Sequence, residues 1–193
     1  MFTTDAILLK KIPISDGDSL YELFTKDFGK IRTWVSKKKR ITPADHGSIL
    51  HCTISTKQNR NSLESGTVKY AIKTDDLDYS SLIGILRCLQ TTADITLPGV
   101  VNISLFEDYH ISLPFFEMRE KSEKARELFL MKLFKTHGMG WKRELEKESI
   151  IFRKIYANIE KYPLRAFFHI EELNDIILQE VRQINQVCMS PYL

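Results

Sequence analysis

The hydrophobic pattern changes its period once along the 193-residue chain, near Asp75. Before that point apolar residues alternate in short runs. Beyond it they recur every third or fourth position. A period of two builds half-buried strands and a period of 3.6 builds amphipathic helices. The pattern therefore predicts an α+β chain, with a β unit over residues 1–74 followed by an all-α unit over residues 75–193.

Five strands are expected in the first part. Ala6-Ile7-Leu8-Leu9 opens one that runs toward Pro13, and Asp16-Gly17-Asp18 forms a turn. Leu20, Leu23 and Phe24 lie in the second, which ends at Lys26-Asp27-Phe28-Gly29. Gly29 suits a turn of positive φ, so Lys30 to Ser36 returns as the third strand. Its alternation puts Ile31, Thr33 and Val35 on one face and Lys30, Arg32, Trp34 and Ser36 on the other. Ser48 to Ser55 is the fourth strand and Thr67 to Lys73 the fifth, separated by a polar loop from Asn59 to Gly66. Five short strands close most commonly as an oligonucleotide-binding (OB) barrel, with an SH3-like barrel the alternative.

The helical part is punctuated by breakers. A first helix follows Asp75, Asp76 and Asp78 and ends at Leu97-Pro98-Gly99. Val100 to Leu113 fits a strand at Val101 and Ile103 and a second helix at Ile103, Phe106, Tyr109 and Leu113, of which the helix is preferred. Glu120 to Thr136 is the third, closed by Gly138 and Gly140. Ser149 to Lys161 is a fourth, stopped by Pro163, and Ile170 to Val187 the last.

Net charge is +3, but its distribution is uneven. Residues 1–74 carry 13 basic and 7 acidic side chains, a net of +6. The remainder carries 15 basic and 18 acidic, a net of −3. A basic barrel beside an acidic helical unit points to a polyanion as the barrel's partner. Cys52, Cys88 and Cys188 are widely spaced and odd in number, so no disulfide framework or cysteine-based zinc site is legible. No apolar run approaches the ~18–20 residues of a membrane span, and no signal core follows a charged start, so a cytoplasmic location is expected.

The densest chemistry lies around the third strand. Lys37-Lys38-Lys39-Arg40 follows Lys30, Arg32 and Trp34. Cations neutralise phosphates and release counterions, giving salt-sensitive binding without sequence preference. An exposed Trp34 would add base stacking worth about 1–3 kcal/mol. Lys57 and Arg60 extend this face, with Lys10 and Lys11 as a second tier. The competing interpretation is a solvated loop beside a packing tryptophan.

No catalytic constellation is expected. Asp16-Gly17-Asp18-Ser19 lacks the spacing and terminal glutamate of a calcium loop. Asp75, Asp76 and Asp78 are explained by helix capping. The five histidines form no ligand-spaced pair with a cysteine, and neither a phosphate-binding glycine loop nor a nucleophile elbow is present.

The run Asp5-Ala6-Ile7-Leu8-Leu9-Lys10-Lys11, then Asp18-Ser19-Leu20, then Leu23-Phe24-Thr25-Lys26 and Gly29-Lys30-Ile31-Arg32 with its basic tail, resembles the N-terminus of the RecO family. Leu128 to Gly140 resembles that family's helix and glycine turn. Two departures stand out. No cysteine occurs from Trp141 to Ser149, where many members carry a four-cysteine zinc module. Lys37-Lys38-Lys39-Arg40 replaces the family's usual Gly-Ala-Arg-Arg, and the chain is short for the family.

The resemblance implies an N-terminal OB domain and a helical domain. It also implies a non-catalytic recombination mediator that binds single- and double-stranded DNA and anneals strands near the bacterial nucleoid. Implied partners are the C-terminal tail of single-stranded DNA-binding protein and RecR, with RecA loaded onto the coated strand. A pocket for that tail would need an apolar groove with a basic rim. Lys121, Lys124, Arg126 and Lys132 beside the third helix are the candidate rim. No cofactor or metal is implied. A protein-interaction adaptor, its barrel holding a peptide in place of DNA, is the alternative from a different class.

Overall fold

The computed structural model describes residues 1–39, 41–139, 149–170, 173 and 175–189. Five strands, β1 (Phe2–Pro13), β2 (Ser19–Thr25), β3 (Gly29–Val35), β4 (Ile49–Lys57) and β5 (Arg60–Tyr70), close into a barrel in the order β1-β2-β3-β5-β4. Among the described residues six helices follow: α1 (Tyr79–Ile95), α2 (Ile103–Glu117), α3 (Ser122–Thr136), α4 (Ile150–Asn158), α5 (Arg165–Phe168) and α6 (Asp175–Met189). The fold is α+β, an OB-like barrel followed by helices. All strand pairs are antiparallel except the one that closes β3 onto β5, at Trp34 and Ser62.

Alternation builds the barrel. Ala6, Leu8, Tyr21, Leu23, Val35, Leu50, Cys52, Ile54 and Leu63 converge in one core. Each large side chain removed from water contributes about 1.5–3 kcal/mol. Cys52 is fully buried there, and burial pushes its thiol up to about 12.

The fifth strand begins earlier than its composition indicates. Gln58 and Asn59 both adopt positive φ (48° and 60°), a two-residue turn that pairs Lys57 with Arg60. The stretch from Arg60 to Gly66, expected as a polar loop, is therefore strand. Leu63 alone points inward, while Asn61, Ser62 and Glu64 decorate the wall. Helix α1 starts where its acidic run predicted, with Asp78 accepting the Ser81 N–H at 2.7 Å. The one-turn helix α5 was not foreseen. Gly138 has positive φ (71°) beyond α3; Gly140 lies outside the described residues.

The chain divides into two compact units, and the division is not a single cut. Met1–Asp75 and Thr96–Phe106 form one unit, and Asp76–Ile95 and Glu107–Leu193 form the other. The expected boundary at 74/75 thus missed the return of Thr96–Phe106 to the barrel. In that return Pro98 bridges Lys30, and the Gly99 N–H donates to the Lys30 carbonyl at 3.1 Å. Phe106 lies 6.5 Å, centroid to centroid, from the buried ring of Phe24. Among the described residues no helix is long and apolar enough to cross a membrane.

On the outer wall Asp5 accepts from Lys69 Nζ and meets His51 Nδ1, both at 2.7 Å. Burial pushes the Asp5 carboxyl up, but hydrogen bonds from Lys69 and His51 outweigh it and hold the group below its ordinary 3.8. A carboxyl depressed on folding contributes stability above its unfolded pKa and loses it as pH falls through the folded one. Thermal melts of wild type and Asp5→Asn should differ at neutral pH. They should converge on acidification below about pH 4. A gap that persists unchanged into strong acid would show that Asp5 acts through packing alone.

Candidate nucleic-acid interface

The outer face of β2 and β3 carries Lys30, Arg32 and Trp34, with Lys37, Lys38 and Lys39 following beyond the end of β3. Register places Glu22 opposite Arg32, Phe24 opposite Lys30 and Leu20 opposite Trp34. Side chains directly opposite in an antiparallel pair share a face. Lys10 of β1 stands opposite Glu22 and joins this face; Lys11 does not. A groove of about 630 Å³ runs along it, lined by Glu22, Lys30, Arg32, Asn59 and Asn61, with Pro98 and Gly99 as one wall.

Glu22 is the floor of this groove and is only 4% exposed. Its carboxylate meets Lys30 Nζ at 3.7 Å and Arg32 Nε at 3.3 Å. Two opposed cations around one acid keep both heads on the outer face. Lys30 is largely covered, whereas Arg32 is 70% exposed and its remaining guanidinium donors face solvent. The Asn61 amide donates to the Arg32 carbonyl at 3.3 Å, fastening β3 to the start of β5.

Trp34 is half-buried and does not present a bare ring. The Arg60 guanidinium lies 4.0 Å over its centroid, a cation–π stack. The indole N–H donates to Asp18 Oδ2 at 3.1 Å, and the Lys37 backbone N–H donates to Asp18 Oδ1 at 3.0 Å. The Lys37 N–H, with smaller help from Trp34 and Ser36, holds the Asp18 carboxyl below its ordinary value. Asp18 thereby ties the β1–β2 turn to the end of β3.

The lysine run continues from that point. Lys37, Lys38 and Lys39 are exposed, and Arg40 lies outside the described residues. Lys39 pairs with Glu64, which also accepts from Ser55 Oγ at 2.6 Å. The Lys39 bond, then the Ser55 bond, holds the Glu64 carboxyl below its ordinary value. Among the described residues the ammonium groups of Lys37, Lys38 and Lys57 make no ion pair. These three remain the cations most readily given to a phosphate.

The four candidate rim residues of the helical unit are not brought together. Lys121 is exposed, its ammonium 5.9 Å from the Phe115 centroid. Lys124 Nζ donates to the Ile170 carbonyl at 2.8 Å; burial, and then Lys121, holds its pKa down. Arg126 turns to a different side, donating to the carbonyls of Ser80 (3.3 Å) and Ser81 (2.9 Å). It lines a pocket of about 220 Å³ with Arg87, Arg182, Glu123 and Glu127. Lys132 must be corrected outright. It is 3% exposed, meets Asp108 at 2.6 Å and donates to the Tyr162 carbonyl at 2.8 Å, so it cannot edge a surface groove.

Sequence reasoning missed Asp18, Glu22, Asn59 and Asn61 as parts of the barrel face, and Arg87 and Arg182 as neighbours of Arg126. Glu22 had a legible signal: register with Arg32 follows once the hairpin at Gly29 is assigned. Asp18 had none, because its partners lie 16 and 19 residues away. Among the described residues no group of three or more His, Cys, Asp or Glu side chains could hold a metal ion. No family model matches the chain, and the search of curated proteins finds no match.

Proposed function

We propose that this chain is a non-catalytic DNA-binding protein of the recombination-mediator and strand-annealing kind, similar to RecO. The barrel holds single- or double-stranded DNA along its outer β2–β3 face. The helical unit docks partner proteins, the tail of single-stranded DNA-binding protein and RecR among them, so that RecA is loaded onto the strand. This role belongs in the bacterial cytoplasm, at the nucleoid.

One observation carries the reading. On an OB-like barrel, strands 2 and 3 and the turns beside them form the common nucleic-acid face. Here that face bears Lys30, Arg32, Trp34 and Arg60, with Lys37, Lys38 and Lys39 at its end. Cations outnumber the acids Asp18, Glu22 and Glu64 among them. Annealing needs no reacting group. It needs neutralised phosphates that let two polyanions approach, and contacts that leave the pairing edges of the bases free.

The test is a salt titration of binding to a fluorescein-labelled oligonucleotide. Affinity should fall steeply with salt. Replacing Lys37 and Lys38 together by alanine should reduce the log–log slope by about 1.4 if each neutralises one phosphate of a single strand. Absence of binding at low salt would reject this function and leave the barrel as an adaptor for a peptide or protein.

A further inference from the structure

We propose that Asp18 is a positioning residue of the nucleic-acid face, fixing the Trp34 ring as a platform for an unpaired base that replaces the Arg60 guanidinium. The inference rests on the DNA-binding reading and adds to it a residue of the wrong charge for a phosphate contact. Asp18 belongs to the turn before β2, yet both its carboxylate oxygens are engaged at the far end of β3. One takes the indole N–H of Trp34 and the other the backbone N–H of Lys37. The first bond pins the ring edge, and the second anchors the start of the lysine run. A free indole on an exposed strand has several rotamers, and a base stacks well on only the one that lies along the groove. Holding that rotamer in advance removes an ordering cost from binding.

Arg60 completes the arrangement. Its guanidinium lies 4.0 Å over the Trp34 centroid and so covers the face on which a base would stack. A base arriving there displaces Arg60, and the released side chain is left beside the incoming phosphate. The ring stays in place because Asp18 grips its edge and not its face. Gly17, with φ at +82°, lets the turn pass close to Lys37: an added Cβ would stand 3.2 Å from Lys37 Cδ.

Electrostatics and positioning predict opposite signs for removal of the Asp18 charge. A carboxylate beside Lys37 lowers the local positive potential, so charge alone makes Asp18→Asn bind DNA more tightly. Positioning makes it bind more weakly, since the amide cannot accept from two donors at once without turning its NH2 toward one of them. The expected result is a three- to tenfold (roughly) weaker affinity for labelled oligothymidylate, part of the stacking contribution, with the salt slope unchanged. In a Trp34→Ala background the same substitution should no longer weaken binding.

A second measurement needs no DNA. With the other tryptophan replaced (Trp141→Phe), the steady-state anisotropy of Trp34 emission should fall on Asp18→Asn as the ring gains freedom. Failure of the wild-type chain to bind would reject the DNA-binding reading and the platform with it. Wild-type binding with Asp18→Asn equal or tighter, or with unchanged Trp34 anisotropy, would overturn the role of Asp18 alone.

Discussion

Lys132→Met is expected to destabilise the helical unit by about 3–5 kcal/mol, the usual effect of leaving one member of a buried ion pair alone. Lys132 on α3 and Asp108 on α2 are 3% and 2% exposed at their side chains, and their charges meet at 2.6 Å. Asp108 Oδ1 also accepts the Leu164 N–H at 2.9 Å, and Lys132 Nζ donates to the Tyr162 carbonyl. The pair thus fastens the 162–164 turn to two helices. Methionine matches the lysine stem in volume, so loss of packing adds little. Urea denaturation followed by far-ultraviolet circular dichroism reads the effect. The double variant Asp108→Leu with Lys132→Met should recover only part of the loss, because two backbone groups of the turn are still left unpaired. Full recovery would show that the turn needs neither bond.

Gly29→Ala should damage the barrel comparably, by several kcal/mol. Gly29 closes the β2–β3 hairpin at φ +68°, a conformation that costs an L-residue about 1–2 kcal/mol. An alanine Cβ would also lie 2.3 Å from the Val100 carbonyl oxygen, and backbone there cannot step aside as a flexible side chain can. Gly99 is the internal control. It has similar φ, +74°, but nothing lies within 4 Å of its Cβ direction, so Gly99→Ala should show the conformational cost alone. Equal melting shifts for the two variants would mean that the approach of Val100 is not what makes Gly29 necessary.

Those two glycines also mark what a reader of the sequence is able to see. The hairpin at Gly29 and the alternation after it were legible, since both follow from local φ preference and a period of two. Gln58-Asn59 was not, because glutamine carries no turn signature and the strand after it is polar on its outer side. Only Leu63 in that strand buries a large apolar side chain. Lys132 was misplaced by the same local logic. A lysine amid Leu130, Met131, Leu133 and Phe134 satisfies a helix pattern from either side, and its acid lies on another element. The basic face around Arg32 and Lys38 was readable as charge. That Glu22 organises it follows from the register of the Gly29 hairpin, whereas the role of Asp18 was not readable, since its partners Trp34 and Lys37 lie 16 and 19 residues away.

The return of Thr96–Phe106 bears on how this molecule is made. A ribosome delivers β1 to β5 first, and all five barrel strands have been synthesised once Tyr70 is added. Here the open edge of β3 at Lys30 stays without Pro98 and Gly99 until some thirty residues more have been synthesised, on the order of seconds at typical elongation rates. Through that interval the buried ring of Phe24 has no Phe106 to face. The nascent barrel carries an unfinished sheet edge and an uncovered aromatic, and its completion is coupled to the synthesis of the first helix beyond it.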